Sequence, residues 1–248
     1  MLRITSVENY ARVSQEVRVA QWLALENFPA VRPVRPDLIA RDGWVVSLWE
    51  EIPNASIAST RDLGNLLRHL HALAAPTEVE LPRLEPLAGV EKYLQQAQGV
   101  EPADRAFLIR RLGELRQAFT ELDFALTPGP VHGDAHRKNV LRGGDGRVVM
   151  LDLERVSTGP REWDLIVAAT YAHLGWYSYD EYAAFVTAYG SDIRDWPDYT
   201  TLLEIRKLRM TAWLCARTGR EPRLRAEAAN RIATLRDPTL PHNWTPGV

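Results

Sequence analysis

Hydrophobic and polar positions change period several times along this chain, and each change marks an element. Leu2-Arg3-Ile4 alternates like the end of a strand. Between about residues 7 and 25, Val13, Val17, Ala20 and Leu23 recur every three or four positions, which predicts a helix. Pro29, Pro33 and Pro36 then force an extended connector. Two short apolar runs, residues 37–40 and 44–49, flank Arg41-Asp42-Gly43, and Asp-Gly in that position is a hairpin signal. Residues 1–50 therefore read as strand, helix and hairpin, a small mixed lobe.

After Pro53 the pattern is mainly helical. Ser59 with Asp62 forms a capping box ahead of the stripe Leu63, Leu66, Leu67, Leu70 and Leu73. The Pro-rich stretch 76–86 reads as a linker. Leu108, Leu112, Leu115, Phe119 and Leu122 predict a helix over about 103–122. The period then drops to that of a strand: Val140-Leu141, the turn Gly143-Gly144-Asp145-Gly146 and residues 148–151 make a second hairpin. Helices return at about 164–174, 179–189, 199–217 and 223–235. The last residues, Pro238 to Val248, hold three prolines and read as irregular.

Composition narrows the function classes. At 248 residues the chain suits one large domain or two joined lobes. Its 30 basic and 32 acidic side chains leave a net charge of −2, which excludes coating nucleic acid by bulk charge. With 46% hydrophobic and 25% charged residues it is an ordinary globular chain. Cys215 is the sole cysteine, so neither an intrachain disulfide nor a cysteine zinc cluster can form. The longest uncharged stretch, residues 165–179, includes Thr170, His173 and Ser178 and falls short of the ~20 apolar residues of a spanning helix. A soluble, cytoplasmic protein with no membrane partner is the expectation.

The chemistry concentrates between Val131 and Leu165. His132-Gly133-Asp134 precedes the second hairpin, Asn139 opens it and Asp152 ends it. A hairpin brings its outer ends together, so Asp134, Asn139 and Asp152 are expected to converge. Two carboxylates and an amide oxygen are hard ligands suited to Mg²⁺. Phosphoryl transfer needs cations against the phosphate charge and a carboxylate to orient the acceptor hydroxyl.

His132-Gly133-Asp134 with Asn139 five residues after the aspartate, followed by Leu151-Asp152-Leu153-Glu154 and Asp164-Leu165, resembles the aminoglycoside phosphotransferase and choline kinase family. The resemblance implies an α+β, bilobal protein-kinase-like fold. A small N-terminal nucleotide-binding lobe would occupy residues 1–48, and a mainly helical catalytic and substrate-binding lobe residues 49–248. It further implies transfer of a γ-phosphate from ATP or GTP, with Mg²⁺, to a hydroxyl of a small molecule. An aminoglycoside or other amino sugar is the first acceptor, and a choline- or homoserine-type metabolite the alternative. A catalytically weak kinase-like binding module is the rival reading. On the same resemblance Asp134 is the catalytic base, His132 braces its loop, and Asn139 and Asp152 hold the metal. Glu154 either assists there or forms a salt bridge.

In the N-terminal lobe, Glu16 resembles the glutamate that pairs with the family's nucleotide-gripping lysine, whose place Arg3 takes. Trp49-Glu50-Glu51-Ile52 resembles the hinge, so Trp49 and Glu51 are expected at the adenine edge. The family's first strands and phosphate-covering loop would precede Arg3. Either the strand at Arg3 is therefore an open edge through which copies associate, or the true start of the protein lies upstream. Asp180 and Glu181, within the acidic stretch 176–198, either draw a cationic substrate or belong to a solvated helical face. Trp176, Tyr177 and Tyr179 either stack on that substrate or pack. Asp164 reads as a carboxylate suited to the start of a helix. His69 and His71 read as packing or surface residues, and His132 with His136 as no zinc pair.

Overall fold

A computed structural model describes residues 1–247; Val248, the end of the expected irregular segment, lies outside the described residues. The chain divides into two units. The first comprises Met1–Leu84, Leu126–Asp164 and Asp180–Ser191. It opens with β1 (Leu2–Ser6), a short 3₁₀ turn and α1 (Tyr10–Leu25). The hairpin β2 (Ile39–Arg41) and β3 (Trp44–Leu48) follows, turned by Asp42 and Gly43 at φ 50° and 81°. These strands form an antiparallel sheet in the order β1-β3-β2, with Arg3 opposite Ser47. Helix α1 buries Val13, Glu16, Val17, Val19, Ala20, Trp22 and Leu23.

Helix α2 (Thr60–Ala72) starts at the expected capping box between Ser59 and Asp62 and buries Leu63, Leu66, Leu67 and Leu70. It passes close to α6 (Tyr179–Tyr189): a Cβ at Gly64 would stand 2.6 Å from the Phe185 carbonyl oxygen. Three short strands share a second sheet, β4 (Ser56–Ile57), β6 (Val140–Arg142) and β7 (Val148–Met150), in the order β4-β6-β7. A third pair joins β5 (Gly129–Val131) to β8 (Ser157–Gly159). Backbone bonds from Val31 N–H to Met150 O and from Met150 N–H to Pro29 O, both 2.9 Å, tie the connector after α1 to the β6–β7 hairpin. This unit therefore includes residues on both sides of the boundary expected at residue 48.

The second unit comprises Glu85–Ala125, Leu165–Tyr179 and the residues from Asp192 onward. In it α3 (Val90–Gln96), α4 (Pro102–Thr120) and α8 (Arg225–Arg236) pack around α7 (Tyr199–Arg217). Leu165 to Ala169 of α5 (Glu162–His173) are all buried, as expected of a helix apolar all round. Cys215 is buried, and desolvation pushes its thiol up to about 12, which leaves it an inert core residue. Residues 238–247 carry neither helix nor strand, yet they are docked. Trp244 is buried, donates from its indole to Thr234 Oγ1 at 2.9 Å and lies 4.8 Å from the Arg231 guanidinium. Among the described residues no helix is long and apolar enough to cross a membrane.

Candidate active site

The segment after β5 turns sharply at Gly133, whose φ of 83° and Cβ-free approach to the Arg155 carbonyl suit glycine. His132 is fully buried; its Nε2 donates to Leu151 O at 2.8 Å and its Nδ1 accepts the Asp134 N–H at 3.3 Å. Those partners fix the Nε2–H tautomer and occupy both ring nitrogens, so His132 braces the loop and is no proton acceptor for a substrate. Asn139 Nδ2 donates to Asp134 O at 3.1 Å, and Leu151 N–H donates to Asn139 O at 2.8 Å. The β6–β7 hairpin thus ties Asn139 to Asp134 on one side and to the residue before Asp152 on the other. Asp152 adopts φ 58°, ψ 57°, a left-handed conformation rare for a non-glycine residue.

Asp164 corrects the sequence reading. It is fully buried in the first turn of α5, but its carboxylate serves the loop and not the helix start. Oδ2 accepts from the His132 N–H at 2.6 Å, and Oδ1 accepts from the Gly133 N–H at 2.8 Å. His71 Nε2 lies 3.0 Å from Oδ2, and its Nδ1 lies 2.9 Å from the Tyr189 hydroxyl. His71 is therefore a buried bridge, whereas His69 is exposed against Phe28. The Trp163 indole N–H adds a bond to Gly133 O at 3.0 Å. Burial, the leading cause, pushes the Tyr189 phenol up to about 12, which keeps it a neutral donor.

Arg3 and Glu16 form an ion pair at 2.5 Å. Burial raises the Glu16 carboxyl above its ordinary range; Arg3 opposes this, and nearby Asp152 and Glu154 add to the rise. Glu16, Asp152 and Glu154 thus share one negative field. Glu154 itself pairs with Arg12 at 3.1 Å. The donor chemistry fits a hard cation: Asn139 spends its amide nitrogen on Asp134, which leaves the amide oxygen for a ligand, and Asp152 supplies a carboxylate. Among the described residues no three His, Cys, Asp or Glu side chains are grouped to hold an ion.

The remaining expected site residues have the following surroundings. Trp49 is buried, and its backbone exchanges bonds with Met1 at 2.7 and 2.8 Å. Glu51 is exposed. Asp180 is exposed, while Glu181 pairs with Arg137 and its carbonyl accepts from Thr60 Oγ1. Trp176 packs edge-on against Tyr171, Tyr177 is buried, and Tyr179 is 83% exposed. A cavity of about 480 Å³, lined in part by Phe28, Arg32, Asp62, His69 and Arg147, contains none of Asp134, Asn139 or Asp152.

Residues 1–203 match the family profile described as APH, the Phosphotransferase enzyme family. The chain belongs to that family. Among curated proteins no sequence matches it. The phosphotransferase is similar in fold to an amicoumacin kinase solved with AMP-PNP, Ca²⁺ and Ami, at TM-score 0.73 and 15% identity over 98% of this chain and 83% of that one. It is also similar to a microcompartment-associated aminopropanol kinase, at TM-score 0.70 and 16% identity over 95% and 84%. An aminoglycoside phosphotransferase from Streptomyces rimosus, solved with ADP and streptomycin, gives 0.59 and 18% over 83% and 85%. The α+β, kinase-like fold expected from the sequence is the fold found: small sheets with a mostly helical remainder. The activity follows from the family, a phosphotransferase with a small-molecule hydroxyl as acceptor.

Proposed function

We propose that this phosphotransferase moves the γ-phosphoryl group of ATP or GTP, with Mg²⁺, to a hydroxyl of an amine-bearing small molecule, an amino sugar first. The observation that carries the reading is the bonded frame joining Asp134, Asn139 and the residue before Asp152. Asp134 orients the acceptor hydroxyl and takes its proton as the oxygen–phosphorus bond forms and the bond to the departing nucleoside diphosphate breaks. Asn139 and Asp152 hold the cation, which when bound screens the phosphate charge. Arg3, steadied by Glu16, faces the phosphates; its guanidinium fork substitutes for a lysine point charge with different reach. Because Trp49 spends its backbone on Met1, the adenine edge falls to the backbone of Glu51. Asp180 and Glu181 add negative charge for a cationic acceptor. An amicoumacin kinase, an aminopropanol kinase and an enzyme solved with streptomycin among the structural neighbours support an amine-bearing acceptor over a simple alcohol.

Phosphate incorporation from labelled ATP and GTP into a panel of hydroxylated amines tests the proposal. Asp134→Ala is expected to lose about 10²–10⁴ in turnover while nucleotide affinity stays within a few-fold. Asp152→Ala is expected to abolish Mg²⁺-dependent nucleotide binding in calorimetry, and Asn139→Ala to weaken it less. Near-normal turnover in Asp134→Ala, or unchanged Mg²⁺ dependence in Asp152→Ala, refutes these roles.

A further inference from the structure

The cavity of about 480 Å³ that holds none of Asp134, Asn139 and Asp152 lies wholly within the first unit. Three segments wall it: the chain leaving α1 at residues 27–32, one face of α2 and the start of β7. Its volume falls within the ~300–1,000 Å³ of small-molecule sites. The floor is apolar, with Phe28, Leu66 and Val149 buried. Phe28 meets the His69 ring at a centroid distance of 5.1 Å with the planes 53° apart, so one wall is aromatic.

These walls are anchored before any ligand arrives. Asn27, at φ 56°, ends α1 in the left-handed conformation, and the Phe28 N–H donates back to Leu23 O at 2.8 Å. Beyond that turn, Val31 N–H donates to Met150 O and Arg32 O accepts from Glu50 N–H, both at 2.9 Å. Arg32 therefore projects from a backbone fixed on two sides. The other charges of the lining are matched: Asp62 pairs with Arg142 at 2.7 Å, and Arg147 with Asp145 at 2.6 Å. The Arg32 guanidinium, exposed at the rim, has no carboxylate or hydrogen-bond partner among the described residues. The exposed side-chain amides of Asn27 and Asn65 make no hydrogen bond among the described residues either.

An apolar floor, an aromatic wall and one unmatched cation define a complementary molecule. We propose that this cavity is a second small-molecule site, separate from the catalytic frame, and that it takes a planar, ring-bearing carboxylate. The rings lie on Phe28 and His69, and the carboxylate meets Arg32, whose fork offers two parallel N–H donors. A bare inorganic anion leaves the floor wet, and a neutral ring system leaves Arg32 unmatched. Such a ligand touches the end of α1 and β7 at once.

Titration of 2-naphthoate into the full chain, without nucleotide or metal and followed by amide NMR, tests this. The dissociation constant expected for so small a ligand is about 1 mM or tighter. Saturable shifts are expected at Phe28, Leu66 and Val149. Arg32→Gln should weaken binding at least about tenfold, and Arg32→Glu should weaken it further. Both changes lie at an exposed rim position, and melting curves report the fold. The uncharged 2-naphthylmethanol and inorganic phosphate should each bind at least about tenfold more weakly than 2-naphthoate. Absence of saturation, binding unmoved by either Arg32 change, or equal binding of the alcohol or of phosphate overturns the proposal. Displacement of 2-naphthoate by AMP-PNP with Mg²⁺ also overturns it, because the probe would then share the nucleotide site. The titration needs neither nucleotide nor Asp134, so its failure leaves the phosphotransfer reading untouched.

Discussion

Replacing Asp164 by asparagine isolates the brace beneath the catalytic loop. The carboxylate divides its work between two oxygens, with Gly133 N–H on Oδ1 and His132 N–H and His71 on Oδ2. An amide of the same shape has one acceptor oxygen. Whichever way it turns, an NH₂ group faces a buried donor. One hydrogen bond to a charged group disappears, about 1.5–3 kcal/mol, and the survivors weaken to neutral strength. A loss of about 3 kcal/mol leaves the chain folded, against a total of about 5–15 kcal/mol. At about 2–4 °C per kcal/mol for a chain of this size, Tm should fall about 6–12 °C. Gly133 directly precedes Asp134, so turnover should also drop about tenfold to a hundredfold through misplacement of the proposed base. Thermal melts and steady-state turnover read both effects. A Tm within about 2 °C of wild type refutes the hydrogen-bond count. A lowered Tm with unchanged turnover shows that the brace does not position Asp134.

Two further outcomes are expected. Gly133→Ala must place a side chain at φ 83° with its Cβ 2.5 Å from the Arg155 carbonyl oxygen, which should destabilise by about 1–3 kcal/mol in urea melts; a neutral result would show that the loop shifts freely. Glu16 is raised by burial above its ordinary 4.5, so the stability linked to its protonated form is full below that value and is lost as pH rises through the raised one. Wild type should therefore lose stability relative to Glu16→Gln as pH rises above 4.5, and urea midpoints that keep a constant gap, or diverge the other way, contradict the buried-carboxyl argument.

Elements with a sustained period were legible: the 16-residue α1, the capped α2 and the hairpin around Gly143-Gly144-Asp145-Gly146 follow from local pattern. Strands β4, β5 and β8 were not, because two or three residues establish no period, and Pro130 and Gly159 argue against a strand on propensity. The site divides the same way. Asp134, Asn139 and Leu151 are joined by hydrogen bonds at the ends of one local hairpin, a frame that could be anticipated from spacing. The role of Asp164 could not: its partners lie 31 and 32 residues away in the loop and 93 away at His71. A carboxylate in a first helical turn carries the same local signal whether it caps its own helix or holds a distant loop. His71, on an apolar stripe, carries no signal of a polar partner until tertiary structure supplies one.

That brace has a consequence for the order in which the molecule comes to life. Helix α2 brings His71, α6 brings Tyr189, α5 brings Asp164, and only together do they receive the backbone of His132 and Gly133. Closing such distant segments costs chain entropy before any contact rewards it. During synthesis Asp134 leaves the ribosome before Asp164 and Tyr189 exist to seat its loop. A partly folded chain therefore carries the whole of His132-Gly133-Asp134 with its loop unseated, and on the role proposed for Asp134 phosphotransfer waits until the last of these helices has docked.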